Sequence, residues 1–110
     1  MEQHKLNEEI KVNKVNEIID YQPGGIVSRQ IIKKQNGNLT YFAFDKNESL
    51  SEHTSPYEAV VNIIEGEMEI TIGGDPFIVK VNEMILLPAN IPHGLVAKTK
   101  TKMILTMIKS

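Results

Sequence analysis

The apolar residues in the middle of the chain change parity. Ala59, Val61 and Ile63 are odd-numbered, whereas Met68, Ile70 and Ile72 are even-numbered, with Glu67, Glu69 and Thr71 opposite them. A strand repeats every two residues, so one uninterrupted strand cannot carry both sets on one face. A turn or bulge must lie between them. Glu65-Gly66-Glu67 supplies it, because Gly66 takes a positive φ without the penalty of a Cβ.

The same period extends in both directions. Ile26 to Lys33 is β-branched and partly alternating, and Leu39 to Phe44 returns as a second strand. Between them Asn36-Gly37-Asn38 carries an Asn-Gly pair, a hairpin signal because both residues tolerate positive φ. Asp45 to Pro56 is polar, with a short extended piece. Gly73-Gly74-Asp75-Pro76 closes a hairpin onto Phe77, Val79 and Val81, which alternate with Ile78 and Lys80. Asn82-Glu83 turns the chain again. Met84 to Leu87 is apolar on both faces, as expected for a strand packed between two layers. Pro88-Ala89-Asn90-Ile91-Pro92 is a rigid turn, and Gly94 to Ala97 and Met103 to Ile108 are the last strands. The loop joining them places Lys98, Lys100 and Lys102 on one solvated face.

Ahead of these strands, Leu6, Ile10, Val15, Ile18 and Ile19 fall near a helical stripe, with Asn7 as its cap. Asp20-Tyr21-Gln22-Pro23-Gly24-Gly25 ends that segment. Many short strands spaced by turns predict an all-β sandwich or closed barrel, preceded by a short helical or irregular stretch. No helix separates the strands, which excludes a parallel α/β fold.

The 110 residues suit one domain, with an N-terminal segment over 1–25 and a barrel over 26–110. The net charge of −2 leaves no cationic excess to neutralise phosphates, and 5% aromatic residues give no stacking platform, so no nucleic-acid partner is expected. The absence of cysteine removes disulfides, thiolate metal sites and a cysteine nucleophile. The polar N-terminus and an apolar run no longer than Met84 to Leu87 predict no signal peptide or membrane span, and a cytoplasmic protein.

The pattern resembles a small single-domain cupin, a double-stranded β-helix or jelly-roll barrel, over about the last two thirds of the chain. That family's first motif is H-x-H, three or four residues, E, six residues, G. Aligned on Gly66, this chain reads His53-x-Ser55, three residues, Ala59, six residues, Gly66. The second motif is G, five residues, P-x-G-x-x-H, three residues, N. Here it reads Asn82, five residues, Pro88-x-Asn90-x-x-His93, three residues, Ala97. Asn82 and Asn90 stand where glycine is usual, and asparagine is well suited to positive φ, so both turns are expected to survive.

The resemblance implies that the four positions holding a divalent metal in metal-binding cupins are His53, Ser55, Ala59 and His93. His53 and His93 are therefore candidate ligands for iron, manganese, nickel or zinc, with the third ligand unknown. Glu48, Glu52, Glu58, Tyr41 and Tyr57 are the neighbours that could complete the set, although alternation turns Glu58 away from Ala59. His53, Ser55, Ala59, Val61, Ile63, Met84 and His93 are expected to line a pocket. Ser55 beside the histidines would allow a nucleophile, but no orienting group or oxyanion donors are visible, and no catalytic residue is assigned. Two functions follow from the resemblance. One is a barrel that binds an unidentified small molecule without chemistry. The other is a metal-dependent enzyme of dioxygenase or isomerase type. The family also implies a homodimer, which would remove exposed sheet edges.

Overall fold

Gly66 is where the chain leaves one sheet and enters another. The computed structural model describes residues 10–109. Among them the strands are β1 (Ile26–Lys34), β2 (Gly37–Phe44), β3 (Ser49–His53), β4 (Glu58–Glu65), β5 (Glu67–Ile72), β6 (Asp75–Lys80), β7 (Met84–Leu87), β8 (His93–Ala97) and β9 (Thr101–Ile108). They form a five-stranded sheet, ordered β1-β2-β9-β4-β7, and a four-stranded sheet, ordered β3-β8-β5-β6. All neighbours pair antiparallel. The two sheets face each other as a jelly-roll barrel.

The parity change has both anticipated causes. A bulge interrupts the β4–β9 register between Ile63 and Glu65, and Gly66 follows at φ 86°. A Cβ there would lie 2.1 Å from the Lys100 carbonyl oxygen, so the β4–β5 crossing and the segment entering β9 approach as closely as glycine allows. Odd residues of β4 and even residues of β5 then meet in one core. Phe44, Val61, Ile63, Met68, Ile70 and Met103 are its fully buried large apolar members. Each contributes about 1.5–3 kcal/mol by leaving water.

The turns divide into two kinds. Gly73 and Gly74 link Ile72 to Asp75 with φ of 58° and 89°, the mirror-image turn that matches strand twist. Asn82 and Asn90 adopt φ of 68° and 66°, as expected where glycine is usual. The β1–β2 hairpin departs from its expected chemistry. Lys34 pairs with Gly37, so the loop is Gln35-Asn36, and neither Asn36 nor Gly37 has a positive φ. Gly37 serves proximity instead, since a Cβ would sit 3.0 Å from the Met107 carbonyl oxygen.

The N-terminal helix is not formed over the described residues. Only a 3-10 turn at Val15–Glu17 is present among the described residues, and Leu6 and Asn7 lie outside them. A short Asn-rich segment lacks the length and propensity to offset helix nucleation. It crosses the outer face of the five-stranded sheet instead. Ile19 is buried there with Tyr41 and Ala43, flanked by Ile18, Tyr21, Val27 and Ile104.

That crossing corrects two further expectations. Lys102 is not on a solvated stripe. It is buried, its ammonium donates to the Asn16 carbonyl, and it stands 5.0 Å from the Tyr21 ring centroid. β7 is not sandwiched between layers. It is an edge strand that buries Leu87 and leaves Met84 and Leu86 exposed. β6 is the other sheet's edge, and only Val79 of its apolar residues is buried. Among the described residues no helix is long and apolar enough to cross a membrane.

Candidate functional site

β3 ends on His53 and β8 begins on His93, and the two are direct cross-strand partners. Their imidazoles meet edge to face, with ring centroids 4.4 Å apart and planes at 68°. Each ring is anchored locally. His53 Nδ1 lies 2.9 Å from the Ser51 carbonyl oxygen, and His93 Nδ1 lies 3.2 Å from that of Ile91. A carbonyl can only accept, so each Nδ1 carries a proton, and a neutral ring held in this way has its lone pair on Nε2. Burial is the main influence on His93 and lowers its pKa. The Ile91 carbonyl opposes that, and repulsion from His53 adds to it. His93 is thus a neutral imidazole near neutral pH.

A cavity of about 70 Å³ opens beside the pair. Its polar lining is His53, Ser55, Tyr57 and His93. Its apolar walls are Phe42, Leu50, Ala59, Val61, Leu87, Leu95, Met103, Leu105 and Met107. Alternation explains the walls: Met103, Leu105 and Met107 are the inward face of β9, opposite Ile63, Val61 and Ala59 of β4. The same period-two argument applied to β9 and β2 would have found Phe42 and the β9 trio.

His53, Ser55, Ala59, Val61 and His93 therefore stand at the cavity, whereas two expected walls do not. Ile63 is 1% exposed but belongs to the filled part of the core, one strand repeat beyond Val61. Met84 is 59% exposed, because its side of the edge strand faces out of the barrel.

Of the residues that could complete a metal set, Tyr57 stands at the cavity and Glu48, Glu52, Glu58 and Tyr41 do not. Tyr41 packs under the N-terminal segment on the far face of its sheet, while Glu52 and Glu58 are exposed. Among the described residues no three His, Cys, Asp or Glu side chains gather where a metal could sit. Two imidazoles and neutral hydroxyls do not fit a resident first-row divalent ion, which takes three or four protein ligands. Nor is Ser55 set up as a nucleophile. Its Oγ accepts the Tyr57 amide at 3.2 Å, and among the described residues it makes no hydrogen bond to either imidazole.

A second depression, about 780 Å³, lies outside the barrel between the N-terminal segment and the sheet, lined by Lys11, Val15, Ile18, Arg29, Ile31 and Tyr41 among others. It shares no residue with the histidine cavity.

Comparison with known proteins agrees with this architecture. The family model described as "Cupin domain" matches residues 40–109. A protein of unknown function from Streptococcus pyogenes superposes with a TM-score of 0.88 at 32% identity, covering 91% of this chain and 88% of that one. A cupin 2 conserved barrel domain protein from Leptotrichia buccalis is 43% identical with a TM-score of 0.82, over 86% of this chain and 46% of that one. A cupin superfamily protein from Desulfitobacterium hafniense shares the fold, with a TM-score of 0.81 and 21% identity over 84% of each chain. No curated protein matches the chain.

Proposed function

Because the chain belongs to the cupin family, we propose that it binds a small molecule in the barrel cavity, against His53 and His93. One observation carries this reading. The cavity is walled by apolar side chains and carries a small polar group at His53, Ser55, Tyr57 and His93. An apolar enclosure with a few convergent polar atoms is the usual form of a small-molecule site. Ala59 supports the same reading, since an apolar wall stands where the family places its anionic ligand.

A metal-dependent enzyme is the alternative, of dioxygenase or isomerase type, with His53 and His93 as ligands. The shared tautomer favours it, because both Nε2 lone pairs are free to coordinate. The donor set opposes it, because among the described residues no anionic third ligand accompanies them. The reading also includes a cytoplasmic homodimer. The exposed Met84 and Leu86 on the β7 edge are surface that a second copy would cover.

The experiment is metal content of protein purified without chelator and then offered manganese, iron, nickel and zinc separately, beside the His53→Ala/His93→Ala double variant. The expected result is no metal above the variant's background, with organic ligands raising the Tm. A ligand present at about 100 times its Kd stabilises by about 2.7 kcal/mol. Near-stoichiometric metal that the double variant loses would overturn the binding reading in favour of the enzyme.

A further inference from the structure

We infer that the cavity's ligand is a compact, uncharged molecule that donates hydrogen bonds to the two imidazoles: a small phenol, alcohol or amide, not an acid, an amine or an ether. The inference rests on the small-molecule reading above and adds the ligand's class.

Charge is settled by the lining. Among the described residues no Lys, Arg, Asp or Glu lines the cavity. A carboxylate or ammonium would lose its hydration there without a counter-ion, at several kcal/mol. The anchoring of the rings decides polarity. Each Nδ1–H is committed to a main-chain carbonyl two residues back, so the polar atom each ring retains is an acceptor. Among the described residues neither Nε2 has a hydrogen-bond donor. No fully buried side-chain nitrogen or oxygen lacks a partner among them either, so Nε2 of the buried His93 reaches open volume. An ether or ketone oxygen could meet the Ser55 and Tyr57 hydroxyls but would leave the acceptor of the buried His93 unmet, and an unmet buried acceptor is costly, whereas His53 is exposed and can turn to water. A hydroxyl or amide N–H satisfies His93. Size follows from the volume: about 70 Å³ admits several waters or one small ring.

The test uses four probes of one shape on the intact chain: phenol, its methyl ether anisole, benzoate and benzene. Titrations are read by calorimetry and by the nitrogen resonances of the histidine rings. Phenol is expected to bind roughly tenfold or more tightly than anisole, the worth of one good hydrogen bond. It is also expected to move the Nε2 resonances of both His53 and His93, with benzoate not binding. His53→Leu/His93→Leu is expected to abolish the preference for phenol. Should that variant fail to fold, the Nε2 resonances of the unaltered chain decide the matter. Anisole or benzoate binding as tightly as phenol would overturn the donor class while leaving the cavity a ligand site. Failure of all four, benzene included, would overturn the cavity reading and the ligand class together.

Discussion

His53 and His93 meet edge to face, with ring centroids 4.4 Å apart, because they are partners across β3 and β8. The backbone presets the pair, and each ring is then oriented by its own chain two residues earlier. A site built this way exists before anything binds, so binding costs little reorganisation.

Burial of His93 makes stability depend on pH. His93 has a pKa below its ordinary 6.5, mainly through burial. Above that value both folded and unfolded chains are neutral there, and no difference arises. As pH falls below it, the unfolded chain takes up the proton first, and the folded state loses ground until its own lower pKa is passed. Urea midpoints are therefore expected to drop as pH falls below His93's ordinary value of 6.5, and His93→Gln to flatten that slope. An unchanged slope in the variant would remove His93 as its source.

Gly66 and Gly74 differ in what surrounds an equally left-handed backbone. Gly66→Ala would drive a Cβ to 2.1 Å from the Lys100 carbonyl oxygen, whereas at Gly74 nothing lies within 4 Å. Gly74→Ala is expected to cost about 1–2 kcal/mol, the conformational penalty alone. Gly66→Ala adds a backbone clash and is expected to cost at least twice that, or to prevent folding. Equal urea midpoints for the two variants would contradict the close approach of Gly66 to Lys100 and Thr101.

Tyr21 fastens the N-terminal segment by donating its hydroxyl to Glu65. Burial first, and the Glu65 carboxylate second, push its pKa well above the ordinary 10.0. The contribution is full below that value and is lost as pH rises past it toward the folded pKa. Tyr21→Phe is expected to cost about 1–2 kcal/mol near neutrality. Faster amide exchange confined to the residues around Ile19 would mark the segment as what loosens.

Met84 and Met103 separate an exposed edge from the cavity wall. Met103 is 1% exposed and lines the cavity, while Met84 faces outward. Met103→Ala is expected to cost about 2–5 kcal/mol and to enlarge the cavity, and Met84→Ala less than about 1 kcal/mol. Thermal denaturation of both variants checks the ordering. A larger loss at Met84 would show that its side chain is covered, as a second copy across β7 would cover it.

Much of the fold was legible because its signals are local. The odd set at 59–63 and the even set at 68–72 required a break, and the bulge and Gly66 provide it. Asparagine tolerates positive φ, and Asn82 and Asn90 both adopt it. Asn36-Gly37 misled as to reason while marking the right hairpin. Gly37 is small because β9 passes close, a fact about a partner 70 residues away. The site was legible only as positions. His53, Ser55, Ala59, Val61 and His93 meet at one cavity, but Met84 and Ile63 do not.

Two-residue periodicity, turn chemistry and motif spacing belong to the chain itself. They determined that it folds as short antiparallel strands, where it turns, and that two histidines occupy motif positions. Alternation assigns a residue to one of two faces, but it carries no information on what covers that face or how deep the residue lies. Tertiary structure decided those matters. It made β7 an edge, buried Lys102 beneath residues 15–21, left a void beside Val61 while filling the core at Ile63, and fixed both imidazoles in one tautomer. Each of these depends on which distant strand or segment lies opposite, and that is a property of pairing in space.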